Sequence, residues 1–228
     1  NLARALHAVA NYADAEKSAR AALRYQPNYI LAAQTLAAIL NEVERPKEAE
    51  QILRNALALG SRNPRQVAAL QHNLALALKQ QRRFDEALPL FDMAQSVVPD
   101  MPAVDYNRGN TLQLLGRLDD AVLSYRRALA ANPLDTMAHD ALNQLLYRLG
   151  RDAEFIRSYD DAAEIVPDAN VLKLGKGDFL LRTERFKEAS EAYGYVAERE
   201  PENLFALDGL AMALTNLHDY GMAIATHE

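Results

Sequence analysis

The stretches FDEALPLFDMAQSVVP, Phe84 to Pro99, and LDDAVLSYRRALAANP, Leu118 to Pro133, share few identical residues but one skeleton. Phe91 answers to Tyr125, Ala87 and Ala94 to Ala121 and Ala128, and Pro99 to Pro133, each pair 34 residues apart. Self-similarity at such a period is the mark of an array of supersecondary units. Prolines carry the register onward: Pro99, Pro133, Pro167 and Pro201 keep the same spacing. Pro27 precedes Pro99 by 72 residues, two periods plus four, and the extra four fit the turn GSRNPRQV, Gly60 to Val67.

In this register one place reads Leu6, Leu40, Leu78, Leu112, Leu146, Leu180 and Leu214. Small residues hold the eighth place (Ala3, Ala37, Ala75, Gly109, Gly177, Ala211), the twentieth (Ala15, Ala49, Ala87, Ala121, Ala189, Ala223) and the twenty-seventh (Ala22, Ala56, Ala94, Ala128, Ala162). Tyr125, Tyr159 and Tyr193 align with Phe91. Apolar neighbours recur at three and four residues, which is helical spacing. Ala87 and Ala94 lie seven residues apart, close to two turns, so both face one way. Gly116 and Gly150 sit mid-unit, where a left-handed residue closes a first helix, and the prolines stand where a second helix stops. Each unit is therefore expected to be a helix hairpin. One hairpin cannot bury its apolar face alone, so neighbours must stack.

The period, the three small places and the closing proline resemble the tetratricopeptide repeat. The resemblance covers the whole chain: a partial unit 1–29, full units 30–67, 68–101, 102–135, 136–169 and 170–203, and a partial unit 204–228. The family's usual tryptophan is missing throughout, and Ser61 replaces one proline. The resemblance implies an all-α fold, a right-handed superhelical solenoid whose inner wall is built by the first helix of each unit.

The register is weakest at 136–169 and its junction with the next unit. Asn143 and Phe155 stand where small residues are usual, Asp152 where an apolar one is, and Lys176 where leucine is. An Ala-to-Phe swap in a close helix contact overpacks by roughly 1–3 kcal/mol unless the helices shift. A change of superhelical curvature near 143–176 is the expectation, against a smooth array with compensating neighbours.

Composition excludes several functions. The 228 residues contain no cysteine, which removes disulfides, thiolate zinc sites and cysteine nucleophiles. No apolar run is long enough to insert in a membrane, and the N-terminus lacks the pattern of a signal peptide. A cytoplasmic chain is expected. It opens on Asn1, as a fragment of a longer chain would. The net charge of −6 speaks against nucleic acid. Residues 1–114 hold 13 Lys and Arg against 11 Asp and Glu, whereas 115–228 hold 12 against 20. That asymmetry is either a solvated surface or a docking face for a partner of basic character.

Nothing in the pattern is catalytic, and no cofactor is expected. His7, His72, His139, His218 and His227 show no metal-ligand spacing, and His139 and His227 occupy places suited to packing. GKGD, Gly175 to Asp178, lacks the spacing and hydroxyl of a phosphate loop and falls within a first helix. No GxSxG or Ser/His/Asp arrangement emerges.

What remains is the groove that the resemblance implies. Its second, fifth, sixth, ninth, twelfth and thirteenth places give Gln34, Asn41, His72, Asn73, Lys79, Tyr106, Asn107, Asn110, Gln113, Asp140, Gln144, Tyr147, Arg148, Asp178, Arg182 and Asp208. The run DYNRGNTLQ, Asp105 to Gln113, gathers an aromatic and several amides. An amide offers a donor and an acceptor together and suits the backbone of an extended peptide. The family's chaperone-tail clamp is absent, because Tyr106 and Ala141 stand where its Lys and Asn are required. An asparagine ladder is matched only at Asn73 and Asn107, with Asn1 as an outlying third; Thr35, Ala141, Gly175 and Gly209 depart from it. The aspartates after Gln113 suit a peptide with a basic end. Three functions stay open: a non-catalytic scaffold binding a protein or extended peptide, the substrate-recruiting arm of a larger glycosyltransferase, sulfotransferase or oxygenase, and self-association through the terminal units.

Overall fold

The computed structural model describes residues 12–99, 101–151, 154, 156–167 and 169–218. Among them are twelve helices and no strand. They are α1 (Tyr12–Tyr25), α2 (Ile30–Glu42), α3 (Pro46–Leu59), α4 (Pro64–Gln80), α5 (Phe84–Val97), α6 (Pro102–Leu114), α7 (Leu118–Ala131), α8 (Thr136–Arg148), α9 (Arg157–Ile165), α10 (Asn170–Arg182), α11 (Phe186–Arg199) and α12 (Leu204–Asn216). No helix among the described residues is long and apolar enough to cross a membrane.

The chain divides into two compact units, Asn1–Ser124 and Tyr125–Glu228. In the first, α2 pairs with α3 and α4 with α5, while α2, α4 and α6 follow one another side by side. In the second, α8 packs on α9 and α10 on α11, with α8, α10 and α12 adjacent. Each unit is thus a stack of helix hairpins, the all-α solenoid arrangement expected from the period.

The repeated columns explain the packing. Leu40, Leu78, Leu112, Leu146 and Leu180 are at most 1% exposed, and Ala49, Ala87, Ala121 and Ala189 are fully buried. Alanine there lets two helices approach until the aromatics Phe91, Tyr125 and Tyr193 fill the gap at close-packed density. The same leucines also close the first helix. Their carbonyls accept the N–H groups of Arg45, Arg83, Arg117, Arg151 and Arg185 at 2.7, 2.9, 2.9, 3.0 and 2.9 Å. The residue before each arginine takes positive φ: Glu44, Arg82, Gly116, Gly150 and Glu184. This is a left-handed C-terminal cap. The sequence signalled it at Gly116 and Gly150; the structure places it equally at glutamate and arginine, where it stores strain.

Those arginines form a second column. Each pairs with the acid three residues on: Arg45 with Glu48, Arg83 with Glu86, Arg117 with Asp120, Arg151 with Glu154, and Arg185 with Glu188. Two reach across to the preceding hairpin, Arg45 to Glu16 at 2.9 Å and Arg83 to Glu50 at 2.7 Å. Glu48, Glu86, Asp120 and Glu188 lie in the first turn of a helix, where their charge also suits the dipole, whereas Glu154 stands in the turn ahead of α9.

Two departures are local. The four extra residues lie inside α4, which begins at Pro64 behind an Asn63 cap and runs for 17 residues, rather than in the turn. At 136–169 the second helix is short: α9 begins at Arg157 and spans nine residues, where α5, α7 and α11 span 14. Asn143, in the place usually kept for Ala or Gly, holds the backbone just ahead of that helix. Its Oδ1 accepts the N–H of Ile156 at 2.6 Å, and its Nδ2 donates to Ser158 Oγ at 2.7 Å and to the His139 carbonyl at 2.9 Å. Ile156 sits at φ 57°, immediately before α9. His139 is fully buried, stacked on Tyr159 with centroids 4.5 Å apart, so the packing role expected for it is the observed one. Its Nε2 donates to the Pro133 carbonyl at 2.8 Å, so Nδ1 accepts from the Ser158 hydroxyl at 3.0 Å. Asp152 and Phe155, on which the overpacking argument rested, lie outside the described residues, as do Asn1, Ala3, Leu6, His7, Ala223 and His227.

Candidate functional site

The groove places fall in both units, and each unit carries its own arrangement. In the first, α4 and α6 bring His72, Lys79 and Asn107 together. The Lys79 ammonium donates to Asn107 Oδ1 at 3.1 Å, while Asn107 Nδ2 donates to the Ala103 carbonyl at 2.8 Å and lies 3.4 Å from His72 Nε2. Burial, with the Lys79 charge adding to it, pushes the His72 pKa down to about 4, and the ring packs on Phe91. Burial likewise lowers the Lys79 pKa. The central amide is therefore engaged within the protein on both its donor and its acceptor side. Asn73, Tyr106, Asn110 and Gln113 are half-buried. Gln34 reaches the Gln66 carbonyl at 3.5 Å. Asn41 is buried rather than presented on a wall, and its Oδ1 has no hydrogen-bond partner among the described residues.

In the second unit, α8, α10 and α12 open a cavity of about 600 Å³. Asp140 from α8, Asp178, Leu181 and Arg182 from α10, and Phe205, Asp208 and Met212 from α12 line it, with Thr136 and Met137 at the start of α8. Tyr159 and Tyr193 close its floor from the second helices. Of the sequence candidates, Asp140, Asp178, Arg182 and Asp208 are brought together here. Gln144, Tyr147 and Arg148 are exposed on α8 and do not line the cavity.

The polar groups of the cavity are unevenly matched. Arg182 donates to both oxygens of Asp140, its second contact at 3.5 Å, and lies 5.3 Å from the Phe179 ring centroid. The Tyr193 hydroxyl donates to Asp178. Burial first, and then that carboxylate, raises the Tyr193 pKa; burial and the nearby Asp140 raise that of Tyr159. Both phenols are thus neutral donors at neutral pH. Met137, Phe205 and Met212 expose 63%, 66% and 56% of their surface. These three stand at the second and ninth groove places; being apolar, they carry no polar signal that would have picked them out. Among the described residues, no group of His, Asp and Glu is placed to hold a metal ion.

Glycines make the floor possible. A Cβ on Gly209 would come within 2.4 Å of the Tyr193 ring, one on Gly177 within 2.9 Å, and one on Gly175 within 3.2 Å of Tyr159. Gly175 and Gly209 are the places where an asparagine ladder would continue; here a tyrosine from the preceding second helix takes the space.

Comparison with known proteins places these arrangements. Models of the tetratricopeptide repeat match residues 29–98, 72–136 and 106–170, which together span more than half of the chain. The TPR repeat-containing thioredoxin TTL4 of Arabidopsis thaliana is 38% identical over 85 residues, covering 37% of this chain and 12% of its own length. The protein O-mannosyl-transferase TMTC3 of Mus musculus is 27% identical over 168 residues, covering 67% of this chain and 18% of its own. The chain thus spans less than a fifth of either relative. The solved structure of Pseudomonas aeruginosa pilF superposes with a TM-score of 0.65 at 22% identity, covering 91% of this chain and 92% of that one. With the repeat models, the buried columns and the stacked hairpins in agreement, the chain belongs to the tetratricopeptide repeat family, whose helix-hairpin arrays are scaffolds for protein–protein interaction.

Proposed function

We propose that this chain is a non-catalytic interaction module that seats a peptide segment of a partner protein in the cavity on α8, α10 and α12. The observation that carries the proposal is that cavity, about 600 Å³ across the inner faces of three adjacent helices, with large apolar side chains exposed beside carboxylates. Exposed apolar surface rimmed by polar groups is the usual signature of an interaction site. In the first unit, the Lys79–Asn107 bond and the Asn107–Ala103 bond occupy the amide that would otherwise pair with a peptide backbone, so the amide wall is the weaker candidate.

Panning a displayed library of random peptides against the chain tests the reading. Met212→Trp, which fills the cavity from an exposed position, should abolish capture of the enriched peptides, and Tyr25→Ala, exposed in the other unit, should leave it intact. Capture indifferent to Met212→Trp would place binding elsewhere. A second reading, the recruiting arm of a larger enzyme, is favoured by the match to a mannosyl-transferase of which this chain spans 18%. Sizing the native polypeptide in its source cell decides it: a mass near 25.3 kDa rules the arm out.

A further inference from the structure

Resting on that peptide-binding reading, we infer that the cavity selects an arginine side chain of the partner segment, flanked by an apolar residue. Three carboxylates meet one guanidinium in the cavity lining. Asp140 is matched by Arg182. Asp178 takes a hydrogen bond from a neutral phenol, which satisfies a lone pair and leaves the charge. Asp208 has no hydrogen bond or ion pair among the described residues. Two negative charges therefore stand uncompensated on α10 and α12, facing a space walled by Met137, Phe205 and Met212. Those side chains and Asp208 are open to solvent, so the attraction for a cation is the moderate, salt-sensitive kind found near a protein surface.

The chain's own Arg182 shows which cation the surroundings accommodate: a planar guanidinium held by a carboxylate on one side, with an aromatic ring 5.3 Å away. A guanidinium is also less strongly hydrated than an ammonium and spreads its donors over two acceptors, which fits carboxylates on two helices. Phe205 and the two methionines then take the apolar neighbour of that arginine in the segment. Met side chains adapt to varied shapes, so the flanking residue is selected by size and polarity more than by outline.

The test uses the peptides enriched by panning on the complete chain, their affinities read by fluorescence anisotropy. The expected result is a shared arginine beside an apolar residue. Replacing that arginine by citrulline, equal in shape and uncharged, should weaken binding roughly tenfold, and Asp208→Asn should weaken the parent peptide by a similar factor. Asp208 is exposed and has no partner among the described residues, so its variant keeps the fold; Asp178→Asn, checked by circular dichroism, is the second variant. Binding should also fall about fivefold or more as salt rises from about 50 to 500 mM, while Arg148→Ala, outside the cavity, leaves it unchanged. Enriched peptides that lack a basic residue, or that ignore Asp208→Asn and citrulline, overturn the arginine inference and leave peptide binding standing. An absence of enriched peptides overturns the peptide-binding reading and the inference with it.

Discussion

The seat of Tyr193 against α12 yields two substitutions of one chemical kind with opposite effects. Gly194 lies in α11 with nothing within 4 Å of the Cβ it would gain, so Gly194→Ala should raise stability by about 1 kcal/mol through helix propensity alone. Gly209 lies in α12, where the new Cβ would come 2.4 Å from two atoms of the Tyr193 ring and 2.7 Å from a third. The ring is 1% exposed and its hydroxyl is tied to Asp178, so it cannot swing aside as the end of a flexible chain would. Overpacking costs typically ~1–3 kcal/mol, and a clash this deep belongs at the upper end. Setting the propensity gain of about 1 kcal/mol against it leaves a net loss of about 2 kcal/mol for Gly209→Ala. Urea unfolding followed by far-ultraviolet circular dichroism measures both, and unchanged slopes would license reading midpoints as stability. Truncating the ring should rescue the variant: Gly209→Ala in a Tyr193→Ala background should lose its penalty. A neutral or stabilising Gly209→Ala in the parent chain would refute the close approach of Tyr193 to α12, and with it the floor of the cavity.

Three further outcomes follow from separate observations. Asn143→Ala leaves the Ile156 N–H and the Ser158 hydroxyl without their amide partner and should cost about 2–3 kcal/mol, measured by the same unfolding assay. Gly116→Ala forces a Cβ into positive φ and should cost about 1–2 kcal/mol, whereas Glu184→Gly relieves that strain and should gain about 0.5 kcal/mol after the added freedom of the unfolded chain is subtracted. His72 keeps a neutral ring down to about pH 4 when folded, but takes a proton near pH 6.5 when unfolded. The unfolded state thus binds more protons between those values, so stability falls as pH drops through that window, by about 3 kcal/mol in total; His72→Gln should remove that part of the acid sensitivity in melts at pH 7 and pH 4.5.

Much of the fold lies open in the chain because repetition multiplies a weak signal. A single alanine at a helix contact means little, but the same small residue at the eighth, twentieth and twenty-seventh places of successive units fixes the period, the hairpin and the buried face. Leu40 through Leu214 are buried as the register requires, since a side chain that recurs on one helix face has only the next hairpin to pack against. The arginine column was equally present, at Arg45, Arg83, Arg117, Arg151 and Arg185. An apolar reading passes over it because its work is polar: an N–H to a leucine carbonyl and a guanidinium to the acid three residues on.

The register therefore determined the helix hairpin and its core, and the family resemblance it carries implied the places that face inward, including Asp140, Asp178 and Arg182. It could not decide what those inward side chains do, because the answers depend on residues of other helices, several of them in a neighbouring repeat. Asn107 is engaged by Lys79, 28 positions earlier, and Asp140 by Arg182, 42 positions later. Asn143 holds the Ile156 N–H, across its own hairpin, immediately ahead of α9. Local spacing sets which way a side chain points, through the geometry of a single helix. Whether it then meets a partner, a ring or open space is set by how hairpins stack, and only the tertiary structure holds that distance information.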